Sequence, residues 1–189
     1  MTIAILAKAD EAAPEAQLDD FQALYEEHSK SVFLTALRVT GNPADAEDVL
    51  QTVFARILDT RPNLDNERAP AAYLRRAATN AAIDLLRRTK TRRETEIDES
   101  RVAGSALHVV GSGVTGSVDA AAREERFALK ERLRAALAEL SAENAELFVL
   151  CYLEGYSYDE LADLLGLERG TVASRLHRIR AKLQEELSR

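Results

Sequence analysis

Five bases gather near the end of this chain: Arg169, Arg175, Arg178, Arg180 and Lys182, with no acid between residues 169 and 182. Side chains of this type pair with phosphate, and arginines at the start of a helix also reach base edges. Between them stand Gly170, Thr171, Ser174 and His177, small or polar residues that let a backbone approach a groove closely. A second bunch holds Arg75, Arg76, Arg87, Arg88, Lys90, Arg92 and Arg93 against Asp84 alone. Yet the chain carries a formal net charge of -7. Residues 1–60 contain 11 acids and 4 bases, which accounts for the whole excess. Two basic bunches on an acidic chain suggest two nucleic-acid contacts and a separate acidic surface for another partner. Solvated helix faces would leave the same charge runs, so position along the elements has to decide.

Those elements read as helices throughout. The chain has 189 residues, room for one domain or two small ones. It holds only 8 Gly and 4 Pro, and Ala, Leu, Glu and Arg abound. Leu18, Phe21, Leu24, His28, Val32, Ala36 and Val39 recur at helical spacing to about Thr40. Gly41 then ends one helix, Asn42 caps the next and Pro43 suits its first turn. Asp45, Glu47 and Asp48 favour that N-terminus, and Val49, Val53 and Ile57, widened by Leu50, Phe54 and Leu58, form the buried stripe.

A polar loop, "DTRPNLDNERAP", precedes a third helix expected from Pro70 to about Arg88. Its buried stripe is Leu74, Ala77, Ala78, Ala81 and Leu85, while Tyr73, Arg76, Asn80, Asp84 and Arg87 gather on another face. Asn80 is a poor helix former in mid-helix, which points to a role other than helix stability. Residues 94–124 lose amphipathic spacing and collect Gly, Ser and Val, and read as a flexible linker. The expected organisation is a tail over 1–17, one helical domain over 18–93, the linker over 94–124 and a second helical domain over 125–189.

In the second domain, Leu129, Leu133, Ala136, Leu137 and Leu140 form one helix. Ser141 caps another, with Leu147, Phe148, Leu150 and Cys151 inward. Ser157 and Glu160 have the spacing of a capping box before "YDELADLL", and Gly166 closes that short helix. The long basic helix follows, with stripe Val172, Leu176, Ile179, Leu183 and Leu187. A short capped helix, a Gly turn and a long basic helix make a helix-turn-helix. The expected fold is therefore all-α, two small helical domains joined by a flexible linker.

Other chemistry finds little support. There is no Gly-rich phosphate loop and there are three His, so no enzymatic activity, cofactor or metal site is expected. The single Cys excludes an internal disulfide and a zinc site built from Cys, and reads as a buried core thiol. The opening "MTIAILAKADEAAPEAQ" reads as neither a signal peptide nor a membrane span, so a cytoplasmic protein without membrane insertion is expected.

Three blocks carry a family resemblance. "LSAENAELFVLCYLEGYSYDELADLLGLERGTVASRLHRIRAKLQEEL" resembles domain four of bacterial sigma factors of the extracytoplasmic-function (ECF) group. "NPADAEDVLQTVFARIL" and "YLRRAATNAAIDLLRR" resemble two helices of domain two of the same group. The resemblance implies a transcription initiation factor that binds core RNA polymerase, directs it to specific promoters and helps open the DNA. Asp45, Glu47, Asp48, Gln51 and Phe54 would dock on the clamp of the largest polymerase subunit, and domain four would meet the flap of the second-largest. Arg61, Asn63, Tyr73, Arg76, Asn80, Arg87 and Arg88 would engage the minus-ten element as a captured strand. Arg169, Gly170, Thr171, Ser174, Arg175, His177 and Arg178 would read the minus-thirty-five element as duplex. An anti-sigma factor that would hold the protein at the inner membrane face is also implied. The sequence departs from the family wording at Tyr73 (Trp), Glu168 (Ser), Ala173 (Lys) and around Asn144 and Glu146 (Arg). A free-standing helix-turn-helix regulator explains domain four equally well, but not the two blocks before it.

Overall fold

The computed structural model describes residues 14–60, 70–103 and 118–188. Among them are seven α-helices and no strand: α1 (Pro14–Thr40), α2 (Pro43–Thr60), α3 (Pro70–Ala103), α4 (Val118–Glu139), α5 (Ala142–Tyr152), α6 (Tyr158–Leu165) and α7 (Arg169–Ser188). No helix among the described residues is long and apolar enough to cross a membrane.

The break between α1 and α2 follows from two residues. Gly41 sits at φ 67°, a left-handed conformation that glycine adopts without the strain a Cβ brings. Its N–H donates to the Leu37 carbonyl at 2.8 Å and so closes α1. Asn42 Oδ1 then accepts from the Ala44 N–H at 2.9 Å, capping α2. The sharp reversal lets α1, α2 and α3 pack on one another. Val32, Ala36, Val39, Val49, Val53, Ile57, Leu74, Ala78 and Ala82 fill the space between them. The small alanines of α3 allow close approach to α1. Leu58, expected to widen the α2 stripe, is instead 46% exposed.

The second group is α4 to α7. Leu137, Leu140, Leu147, Leu150, Leu161, Val172, Leu176, Ile179 and Leu183 make its centre, all buried. Leu129, expected on the inner face of α4, is exposed. The two groups also touch. α3 packs against both α4 and α5, so the buried residues form one continuous cluster.

The third helix does not stop near Arg88 but continues to Ala103, and α4 begins at Val118, before Glu125. Much of the stretch expected as irregular linker is therefore helical. "ETEIDESRVA" lacks an apolar stripe, but it contains no Gly or Pro, and Glu, Arg and Ala sustain a helix without burying one face. The first glycine after the basic run is Gly104. Loss of amphipathic spacing did not mark the end of the helix.

Candidate nucleic-acid and polymerase interfaces

The helix-turn-helix is built by local chemistry. Ser157 Oγ accepts from the Glu160 N–H at 3.3 Å, and Glu160 Oε2 accepts from the Ser157 N–H at 2.8 Å and from its hydroxyl at 2.7 Å. These bonds hold the Glu160 carboxyl below the usual carboxylate range. Gly166, at φ 64°, ends α6 in the left-handed region, as expected for that position. The Glu168 carbonyl accepts from Thr171 and Val172 N–H at 2.8 and 3.1 Å, so Glu168 occupies the N-cap of α7. Its side chain is a weaker cap than the usual hydroxyl.

Burial of Val172, Leu176, Ile179 and Leu183 turns the rest of α7 outward. Arg169, Gly170, Ser174, His177 and Arg178 are exposed, while Thr171 and Arg175 are half-buried. All seven residues expected to read duplex thus lie along the outer side of one helix or its edges. Arg169 Nε pairs with Asp159 Oδ1 at 2.9 Å, and Arg175 Nη1 with Glu143 Oε2 at 3.2 Å. A hydrogen bond to Tyr152 strengthens Arg180's hold on its proton. A groove of about 410 Å³ runs between α7 and the start of α5, lined by Ser141, Glu143, Asn144, Arg175, Arg178 and Lys182 among others. Capped helix start and basic wall together make it attractive to a phosphate.

On α2, Glu47, Asp48 and Gln51 are exposed and Asp45 is half-buried, which gives a continuous acidic surface. Phe54 is different. It is 4% exposed and packs edge-on to Phe21 and Tyr25, ring centroids 6.0 and 4.8 Å away. It supports the acidic face from inside and offers no surface for a partner. The large apolar residue exposed on α2 is Leu58, which periodicity had assigned to the core.

The α3 residues come together but are already engaged. Arg76 Nε donates to Glu146 Oε1 at 2.5 Å and Asn80 Nδ2 to the same oxygen at 3.1 Å. Arg87 Nη2 donates to the Leu140 carbonyl at 2.7 Å, and its Nη1 lies 3.8 Å from Asp84. Arg88 is exposed and Tyr73 half-buried. Arg61 and Asn63 lie outside the described residues. Sequence reasoning missed Glu146 as a partner of this face. The signal was an acid amid Ala145, Leu147, Val149 and Leu150, the buried side of α5.

Residues 24–92 match the family Sigma-70 region 2, and residues 130–183 match Sigma-70, region 4. ECF RNA polymerase sigma factor SigL of Mycobacterium tuberculosis is 36% identical over 182 residues, 92% of this chain and 93% of SigL. The chain belongs to the ECF RNA polymerase sigma factors. The sigma factor SigE of Mycolicibacterium smegmatis is 31% identical over 186 residues, 95% of this chain but 66% of SigE, so this sigma factor spans about two thirds of that relative. Among solved structures, CnrH in complex with the cytosolic domain of CnrY is similar, with a TM-score of 0.50 and 26% identity, covering 90% of this chain and 89% of that one. Membership makes the protein a sigma-type transcription initiation factor, and the free-standing regulator is not favoured.

Proposed function

We propose that this sigma factor joins core RNA polymerase through the acidic face of α2 and selects promoters at two separate places. Asp45, Glu47, Asp48 and Gln51 meet basic groups of the polymerase clamp, while the second bundle rests on the flap. Complementary charge of this kind steers association and fixes orientation. The α7 residues Arg169, Gly170, Thr171, Ser174, His177 and Arg178 enter the major groove of the minus-thirty-five element, with Arg175 and Lys182 on phosphates. Tyr73, Arg76, Asn80, Arg87 and Arg88 hold the melted minus-ten strand, which needs an aromatic or polar pocket and a basic track.

The observation that carries this reading is the pairing of two unlike faces in one chain. The outward side of α7 follows a capping-box helix and a glycine turn, and the exposed acids of α2 stand on a different bundle. A DNA-binding protein acting alone gains nothing from the second, since acids weaken contact with DNA. The protein contributes binding rather than chemistry and works in the cytoplasm. A regulatory anti-sigma protein is its other partner. The similar CnrH is likewise solved with a protein partner, the cytosolic domain of CnrY.

Run-off transcription tests the proposal. Core polymerase with this chain should initiate on the DNA upstream of its own coding sequence, and core alone should not. Failure to bind core polymerase, together with tight duplex binding by the chain by itself, would sink it.

A further inference from the structure

Arg175, Arg178 and Lys182 stand three and four residues apart, so they share one side of α7. That side is a wall of the groove of about 410 Å³, whose floor includes the buried Leu140 and Ile179. From the opposite wall Glu143 reaches across to Arg175, Oε2 to Nη1 at 3.2 Å, although its side chain is 77% exposed. An acid in the first turn of α5 suits the helix dipole, but the dipole does not require that reach. An exposed carboxylate that settles there shows that the bases of α7 hold an anion in the groove.

The position of the groove says which anion. A helix is about 10–12 Å across and the major groove about 12 Å wide, so a helix lying in it turns its flanks toward the phosphate backbones. Ser174 and His177 are exposed on the outer side of α7, while Arg175 and Lys182 lie on this flank. A guanidinium fork takes a carboxylate or a phosphate in the same geometry. We infer that the groove is a seat for one phosphodiester of duplex DNA, held by Arg175 and Lys182 with Arg178 at its rim. Glu143 fills the seat in the free chain and must leave before the phosphate enters, so it sets the strength and salt dependence of duplex binding. The inference rests on the assignment of α7 to the duplex. A base that neutralises a phosphate releases about one condensed cation from the DNA. The displaced Glu143 takes up a counterion as Arg175 releases one, so the exchange by itself adds little to the salt slope. In Glu143→Gln the release stands alone.

The test uses the full chain and two fluorescein-labelled duplexes, one from the DNA upstream of its own coding sequence and one with that sequence scrambled. Anisotropy over a salt series gives the affinities. Glu143→Gln should bind both duplexes about threefold more tightly at the lowest salt, with a plot of log affinity against log salt steeper by about 0.9. Glu26→Gln, the same change in net charge on the exposed side of α1, should leave the slope as it is. Adding Arg175→Gln to Glu143→Gln should return the slope to that of the unaltered chain. A purely structural role for Glu143 would lower the melting temperature without steepening the slope. An unchanged slope in Glu143→Gln overturns the inference. So does a steeper slope that survives Arg175→Gln, because the charge then acts from a distance, and so does absence of duplex binding by every form at the lowest salt. The ratio between the two duplexes reports the separate claim that α7 reads sequence. A ratio of one counts against that reading, while the slopes still decide the seat.

Discussion

Arg169, the first residue of the recognition helix, reaches back across the turn to Asp159, its Nε 2.9 Å from Oδ1. Both side chains are largely exposed, 67% and 75%, so the pair adds at most about 1 kcal/mol to stability. Its importance lies in competition. In the proposed duplex contact, Arg169 would exchange a carboxylate for a phosphate or a base edge, and Asp159 would oppose that exchange. Asp159→Asn should leave the melting temperature nearly unchanged and tighten duplex binding by about threefold at low salt, less than 1 kcal/mol. Filter binding across a salt series checks it. Weaker binding would mean that Asp159 aims the guanidinium at its target.

Glu168 stands at the N-cap of α7, with its carbonyl already bonded to Thr171 and Val172. A serine there can add a side-chain bond to a free N–H of the first turn and removes a negative charge from the approach to DNA. Glu168→Ser should stabilise the second bundle by about 1 kcal/mol. Promoter duplex affinity should rise with it. Thermal unfolding and a duplex titration give the two readings, and a loss of affinity with a gain in stability would show that the carboxylate contacts DNA through water or a base amine.

How much of this was legible in the sequence varies with the kind of signal. Caps and glycine turns are local, so Gly41, Asn42, Ser141, Ser157, Glu160 and Gly166 announced their roles before any fold was known. The α7 stripe was equally plain, since Val172, Leu176, Ile179 and Leu183 keep one period. Periodicity failed where exposure depends on neighbours distant in sequence. Leu58 and Leu129 fit an apolar stripe, but no helix among the described residues covers them, and both are exposed. Phe54 is the reverse case: the stripe placed it inside, the family resemblance placed it on a docking face, and two aromatics of α1 enclose it. The contact of Glu146 with Arg76 joins residues 70 apart, and no local pattern encodes such a pairing.

The Glu160 carboxyl gives the capping box a sensitivity to acid. Its hydrogen bonds from Ser157 depress the folded-state value below the unfolded one. A depressed carboxyl adds stability that is present above the unfolded value and lost as pH falls through the folded one. The helix-turn-helix should therefore weaken in mildly to strongly acidic solution and hold at neutral pH. Glu160→Gln should lower stability at pH 7 and flatten this part of the pH profile, measured by urea unfolding at stepped pH. Equal slopes in the two proteins would show that other carboxyls govern the acid transition.

Two substitutions on α2 separate docking from support. Phe54→Ala empties a site between Phe21 and Tyr25 and should cost about 3–5 kcal/mol, enough to unfold the first bundle in many small domains. Polymerase binding would then fall because the face that carries Glu47 and Asp48 is no longer held. Asp48→Lys leaves the packing alone, since Asp48 is exposed. It should keep the stability within about 0.5 kcal/mol of the original and still weaken polymerase binding, mainly through a slower association that depends on salt. Circular dichroism and surface plasmon resonance on immobilised core polymerase distinguish the two routes. If Asp48→Lys binds as well as the unaltered chain, the acidic face of α2 is not the docking surface, and exposed Leu58 becomes the place to look.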